Sequence, residues 1–356
     1  MTTTSPRMPA SATPQPLEAT TAPTMMAMVQ QRYGPPEVLA YARVATPVPR
    51  VGDVLVRVHA ASVHPGDCFV VSGVPYVLRL AFGLRRPGRG IPGRDLAGRV
   101  ESVGADVRGM RPGDAVFGWA ANGSLAEYVT VPAANLAPKP EPLTMEQAAT
   151  LATSGLTALQ ALRDVAKVQP GQSVLITGAS GGVGTFAVQI AKGMGAEVTG
   201  VCSTRNVPMV RALGADYVID YTETDFTRAG RLYDVILDNV EAQPLAAARR
   251  ALAPRGTLIP NSGAGGRWFG PLGRILAAHV RSRFTRQHVR PFLSLEKHDD
   301  LLALAALVDA GTVTPVVDRT YTLERAADAL AYVGQGHARG KAVVTVDAAT
   351  PAANCQ

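Results

Sequence analysis

Between residues 173 and 194 a short apolar run gives way to a glycine-rich turn and then to a helix-compatible pattern, and this order constrains the fold more than any other stretch. Ser173-Val-Leu-Ile-Thr177 has the length of a buried strand, Gly178, Gly181, Gly182 and Gly184 crowd the turn, and Phe186, Val188, Ile190, Ala191 and Met194 follow at helical spacing. Glycines in such a turn permit positive φ, let an anion approach bare backbone, and let the helix pack close to the strand with its first N–H groups facing that anion. Ser180, Gly181, Gly182, Val183 and Gly184 are therefore the expected cradle for a dinucleotide pyrophosphate. The competing reading is a tight strand-to-helix turn that holds no ligand.

An NAD-preferring site carries an acidic residue about 20 positions past the first glycine, where it accepts hydrogen bonds from the adenosine ribose. Here the second strand, Glu197 to Val201, runs instead into Cys202-Ser203-Thr204-Arg205-Asn206. Hydroxyls and a guanidinium supply the donors and positive charge that a ribose 2′-phosphate needs, so NADPH is the expected cofactor, with Ser203 and Arg205 as its readers. Alternatively, Ser203 caps the helix that starts near Val207-Pro208 and Arg205 is merely solvated. Tyr221, at the end of the next strand, would close the adenosine side of the pocket.

With 356 residues and 47% hydrophobic composition, the chain can bury a core large enough for two domains. No apolar run approaches the roughly 20 residues of a membrane span, and no secretory pattern opens the chain, so a cytoplasmic location is the default expectation. Three cysteines, Cys68, Cys202 and Cys355, make neither a disulfide framework nor a structural zinc cluster. The formal charge of +7 is partly concentrated in Arg267, Arg274, Arg281, Arg283, Arg286 and Arg290, interleaved with apolar residues at approximate helical spacing. That pattern predicts a basic amphipathic helix, either a solvated lid or interface face, a surface for an acidic substrate or partner, or a membrane or nucleic-acid contact. A nucleic-acid partner is not expected.

From Met25 to about Val131, short β-prone segments are divided by Gly and Pro, the composition of a twisted, barrel-like domain; strands are predicted at 53–60, 96–103 and 126–131. A helical segment over Met145–Ala166 then leads into alternation: strands at 173–177, 197–201, 217–221, 233–238 and 256–260, helices at 183–194, 207–213 and 243–252. This alternation predicts an α/β chain with a doubly wound parallel sheet. Helices over 299–310 and 323–332 precede a closing strand over 341–346, expected to return to the first domain.

Several ordered elements add a resemblance: Tyr33-Gly-Pro-Pro-Glu-Val-Leu39, Ala61-Ser-Val-His-Pro-Gly-Asp67, Ile91-Pro-Gly-Arg-Asp-Leu-Ala-Gly98, Ser154-Gly-Leu-Thr-Ala158, the glycine turn, Leu213-Gly-Ala-Asp-Tyr-Val-Ile-Asp-Tyr221, Asp234-Val-Ile-Leu-Asp238 and Gly340-Lys341. Over residues 27 to 347 the chain resembles the zinc-independent branch of the medium-chain dehydrogenase/reductase superfamily, the quinone oxidoreductase-like and enoyl reductase-like proteins. Residues 1–24, rich in Thr, Pro, Ala and Ser, cannot bury much apolar area and are expected to be a disordered tail. The resemblance implies a GroES-like catalytic domain over 25–147 completed by 291–348 and a Rossmann NADPH-binding domain over 148–290, which leaves a C-terminal tail over 349–356. It also implies a homodimer.

Zinc-dependent relatives carry a Cys in the loop that here reads Val63-His64-Pro65-Gly66-Asp67 and a Gly-His-Glu where this chain has Gly93-Arg94-Asp95, so no catalytic metal is expected. The implied reaction is hydride transfer from NADPH to a carbon–carbon double bond conjugated to a carbonyl, or to a quinone. His64 is the candidate donor to the substrate carbonyl, because imidazole titrates near neutrality; alternatively it bonds its own backbone before Pro65. Arg94 is a second catalytic candidate that would polarise a carbonyl, unless a neighbouring carboxylate holds it. Thr157, Asn239, Ser262 and Gly263 are implied to border the cofactor, with Lys341 reaching it from the last strand or standing as a surface lysine. Two rivals remain at this point: a carbonyl reductase or alcohol dehydrogenase working without zinc, and a non-catalytic NADPH-responsive binding protein.

Overall fold

The computed structural model describes residues 23–88, 90–121, 123–261 and 286–346. Along the chain the strands are β1 (Thr24–Gln30), β2 (Leu39–Ala45), β3 (Asp53–Val63), β4 (Asp95–Val103), β5 (Ala115–Trp119), β6 (Tyr128–Pro132) and β7 (Leu136–Pro138). They continue as β8 (Ser173–Thr177), β9 (Glu197–Cys202), β10 (Tyr217–Asp220), β11 (Tyr233–Asp238), β12 (Leu252–Pro260), β13 (His288–Val289), β14 (Val317–Thr322) and β15 (Lys341–Thr345). β1 and β2 form an antiparallel ribbon, and β1 already includes Thr24, one residue inside the stretch expected to be disordered.

Two larger sheets carry the architecture. The first has the order β14-β15-β3-β4-β5-β7, with β6 also paired to β3. The eleven-residue β3 organises it: its first half pairs with β6 over Asp53–Arg57 and its second half with β15 over Ala60–Val63. Register shifts against β4 at Leu55/Val56 and Val58/Ala60 bend the strand, as bulges do, so one strand serves both neighbours. The closing strand β15 thus returns to the sheet built from the first part of the chain, as its sequence position suggested.

The second sheet is parallel, in the order β10-β9-β8-β11-β12-β13, with the reversal of strand order between β9-β8 and β11 that marks a doubly wound fold. β8 and β11 are fully apolar at their centres, Val174, Leu175, Ile176, Ile236 and Leu237 being buried, and β9 beside them buries Val198 and Val201, as strands covered on both faces require. Together the two sheets define a GroES-like domain joined to a Rossmann domain.

Two local readings change. The helix expected over Met145–Ala166 is broken into Met145–Ala148, Ala152–Gln160 and a wider last turn over Ala161–Ala166. Thr144 and Gln147 form a reciprocal N-cap that starts the first piece, while three-residue bonds from Thr150 and Leu151 N–H to Gln147 and Ala148 carbonyls tighten the chain between the pieces. Of the expected basic helix, the part up to residue 285 lies outside the described residues. The remainder is not helical: His288 and Val289 add a short strand beside Thr257 and Leu258, and Arg290 donates to the Val165 carbonyl. The backbone pairing offered by the edge of β12 outweighs the helical spacing of the side chains.

Candidate functional site

The glycine turn joins β8 to the helix Gly182–Gly193, which Gly181 enters in extended conformation. Gly178 takes φ +59, the left-handed conformation the turn needs. The first turn of the helix leaves N–H groups at Gly182, Val183 and Gly184 without intrahelical partners, which suits an anion there. Ser180 Oγ accepts from Asn206 Nδ2 at 3.0 Å, and the same amide reaches Ser203 Oγ at 3.2 Å. Asn206, which sequence reasoning left unassigned, therefore ties the pyrophosphate turn to the loop after β9.

The start of β15 lies against this turn: Gly340 N–H donates to the Ser180 carbonyl at 2.8 Å, and a Cβ at Gly182 would sit 3.1 Å from Lys341 Cδ. Lys341 is not a surface residue. It is 2% exposed, its Nζ donates to Ser154 Oγ at 3.1 Å, and it stands 3.6 Å from Asp95 Oδ2. Asp95, wholly buried, also accepts from Ser62 Oγ, Thr153 N–H and Thr153 Oγ1. Thr157, one turn further along the helix Ala152–Gln160, gives its hydroxyl to the Thr153 carbonyl at 2.7 Å. A buried ionic cluster thus ties the first sheet to the helix Ala152–Gln160 beside the turn.

His64 and Asp67 belong to the same region. His64 caps the helix Pro65–Ser72: its Nδ1 accepts from Gly66 N–H at 3.0 Å, and Asp67 Oδ2 accepts from His64 N–H at 2.9 Å. With Nδ1 accepting, the proton of the neutral ring is on Nε2. That Nε2 is buried, has no hydrogen-bond partner and lies 3.5 Å from Asp67 Oδ2. Arg94 donates to Glu296 Oε1 at 2.6 Å, the carboxylate partnership weighed as its alternative.

Burial pushes the Asp67 carboxyl above its ordinary range and Asp95 adds to this, while His64, the His64 N–H bond and Lys341 pull it back. A carboxyl whose folded pKa is raised binds protons more tightly when folded, so its contribution falls as pH rises. The decline begins near the unfolded value, about 3.9, and is complete above the raised folded value. Asp67→Asn keeps an oxygen for the His64 N–H and is expected to flatten the decline in stability above about pH 4, gaining on wild type toward neutrality. Denaturant midpoints across pH check this; parallel profiles for the two proteins would contradict it.

On the other side of the turn, Ser203, Thr204, Arg205 and Tyr221 line one wall of a cavity of about 580 Å3, and Arg319, Tyr332, Gln335 and His337 line the other. Ser203 and Arg205, predicted to read the 2′-phosphate, and Tyr221, predicted to close the adenosine side, therefore meet in one place. Arg319, from β14, carried no sequence signal. At the ends of β8 and β11, Thr177 Oγ1 donates to Asp238 Oδ1, and Asn239 donates to the Thr177 carbonyl while accepting from Asn261 Nδ2. Asn239 is thus fixed at the carboxyl edge of the parallel sheet; Ser262 and Gly263 lie outside the described residues.

A resident zinc fits poorly here. At the positions where zinc-dependent relatives place ligands, the His64 Nδ1 lone pair is taken by a backbone N–H and Arg94 offers only donors. Among the described residues no group of three or more His, Cys, Asp and Glu is placed to hold a metal. A nicotinamide dinucleotide fits better: glycine backbone at a helix N-terminus, a cationic pocket beyond it, and both at the carboxyl edge of a doubly wound sheet.

GroES-like domain, Rossmann domain and dinucleotide turn together define a two-domain oxidoreductase. A family model described as an alcohol dehydrogenase GroES-like domain matches residues 50–141, and one described as a zinc-binding dehydrogenase matches residues 213–344. The chain is 36% identical to the mitochondrial NAD(P)H oxidoreductase RTN4IP1 of Mus musculus, over 90% of this chain and 89% of that protein. It is 32% identical to the chloroplast envelope quinone oxidoreductase homolog of Arabidopsis thaliana, over 86% of this chain and 93% of that protein. The solved quinone oxidoreductase from Coxiella burnetii superposes with a TM-score of 0.80 at 31% identity, covering 91% of this chain and 100% of that one. The chain belongs to the medium-chain dehydrogenase/reductase superfamily, among its quinone oxidoreductase-like and enoyl reductase-like members. It is a nicotinamide-dependent oxidoreductase.

These names correct one expectation. A cytoplasmic location followed only from lacking a membrane span and a secretory pattern, and the relatives are a mitochondrial and a chloroplast protein. Those two absences do not separate cytoplasm from organelle. Among the described residues, no helix is long and apolar enough to cross a membrane.

Proposed function

We propose that the protein is an NADPH-dependent reductase that transfers hydride to a conjugated carbon–carbon double bond or to a quinone, without a catalytic zinc. The observation that carries this reading is the cavity where Ser203, Arg205 and Tyr221 converge beyond the glycine turn, because its described lining holds hydroxyls and guanidiniums and no carboxylate, the neighbouring Asp220 being held by Thr204 and Thr222, and this matches a 2′-phosphate. The bound nicotinamide coenzyme supplies the hydride. Glycine-turn N–H groups hold the pyrophosphate, Thr157 and Asn239 border the coenzyme, and the Gly340 N–H and the Lys341 stem brace the turn from the other domain.

On the substrate side, His64 keeps one uncommitted N–H, at Nε2, and is the proposed donor to the oxygen that gains charge as hydride adds. Arg94, engaged by Glu296, holds the cleft wall. Conjugated carbonyls and quinones share that requirement: hydride arrives at carbon while an oxygen becomes an oxyanion that a donor stabilises. Neither substrate class needs a Lewis acid. The domain limits expected from the sequence and a homodimer belong to the same reading.

Chelator-treated protein assayed with NADPH against enals, enones, quinones and simple aldehydes tests it, with products identified by mass and NMR. Saturated carbonyls or hydroquinones, with NADH much poorer, are the expected result. Alcohol products, or activity restored only by zinc, would overturn it.

A further inference from the structure

We infer that Arg319, from the GroES-like domain, is a second guanidinium reader of the coenzyme 2′-phosphate, so that NADPH selectivity is shared between the two domains. The inference rests on the NADPH reading above and extends it to a residue that the dinucleotide motif does not contain. The cavity is walled on one side by the loop after β9 and by Tyr221, and on the other by β14 and the segment after the helix Ala326–Gly334. One arginine stands on each wall. Among the described residues, neither Arg205 nor Arg319 has a carboxylate within ion-pairing distance.

The nearest acidic neighbour in sequence, Asp318, is already committed: its Oδ2 accepts from Tyr332 OH at 2.5 Å and from Arg339 N–H at 2.8 Å. Two cations facing one cavity repel until an anion enters between them. The two guanidiniums are also held in a suitable state. Arg319 stacks on the Tyr332 ring with its central carbon 4.3 Å from the ring centroid. Stacking uses the face of the guanidinium and leaves its in-plane N–H edge free for an acceptor. Arg205 spends one donor on the His337 carbonyl at 3.0 Å, which aims it across the domain boundary and leaves further donors.

A phosphate monoester, with close to two negative charges and three acceptor oxygens, matches paired guanidiniums better than a carboxylate or a ribose hydroxyl does. Because the walls belong to different domains, the same phosphate links them when it binds.

The test compares competitive inhibition by 2′,5′-ADP and 5′-AMP in wild type, Arg319→Met, Arg319→Lys and Arg205→Gln, with thermal melts of each. Arg319→Met is expected to weaken 2′,5′-ADP roughly tenfold or more and 5′-AMP by less than about twofold, with Arg319→Lys between it and wild type. Unchanged 2′,5′-ADP affinity in Arg319→Met, while Arg205→Gln loses it, would overturn the role of Arg319 and leave the NADPH reading standing. Equal weakening of both nucleotides would overturn it as well, by revealing a merely structural arginine. Wild type that binds 2′,5′-ADP no tighter than 5′-AMP would overturn the NADPH reading and this inference together.

Discussion

Replacing Gly184 with alanine is expected to abolish turnover and weaken coenzyme binding severely, with a stability loss near the top of the range for overpacking, about 3 kcal/mol. A Cβ at this position would stand 2.1 Å from the Gly178 carbonyl oxygen and 2.7 Å from Ala179 Cα. Those neighbours are backbone of the turn itself, so no side-chain rotation relieves the clash. The helix Gly182–Gly193 must then lift away from β8, carrying off the N–H groups proposed to hold the pyrophosphate. Gly334→Ala is the matched control. Its Cβ meets nothing within 4 Å, it lies in a helix, and alanine there is expected to be neutral or slightly stabilising. Thermal melts and coenzyme titration check both variants; wild-type melting and affinity in Gly184→Ala would sink the argument.

Features legible in the sequence are those that depend on local pattern. The apolar runs at Val174–Ile176 and Val235–Leu237 could bury only as central strands, and the four glycines between Gly178 and Gly184 have one economical use. His64 carried a readable second meaning: a polar residue followed by Pro65 at the first helical position and Asp67 three residues on is the pattern of a capping box, with imidazole in the place usually taken by a hydroxyl. What escaped depends on elements distant in sequence. Nothing near Arg319 signals that β14 brings it opposite Arg205, and nothing near Gly340-Lys341 signals that the lysine is buried beside Asp95. The break at Thr150 was hidden because every residue from Met145 to Ala166 is compatible with helix, while three-residue hydrogen bonds decide the geometry.

Lys341→Met is expected to cost about 3–5 kcal/mol, the penalty typical of removing one partner from a buried pair, and to reduce coenzyme affinity through the turn it supports. Asp95 would remain wholly buried with hydrogen bonds from Ser62 and Thr153 but no cation at 3.6 Å. Asp67 would lose one of the charges that hold its raised carboxyl down, so its pKa would climb further. Acidification should therefore recover part of the loss in this variant, because protonating a carboxyl with a raised folded pKa favours the folded state. The charge balance makes a second, sharper forecast. Asp95→Asn keeps an acceptor for Thr153 and removes the charge left behind, so the Asp95→Asn/Lys341→Met protein should be more stable than Lys341→Met alone, since losing both charges costs less than stranding one. Denaturant melts of the two single variants and the double, at neutral and mildly acid pH, measure the coupling. Simple additivity of the two losses, with no recovery in acid, would mean that Lys341 acts by packing its methylene chain against Gly182 rather than by its charge.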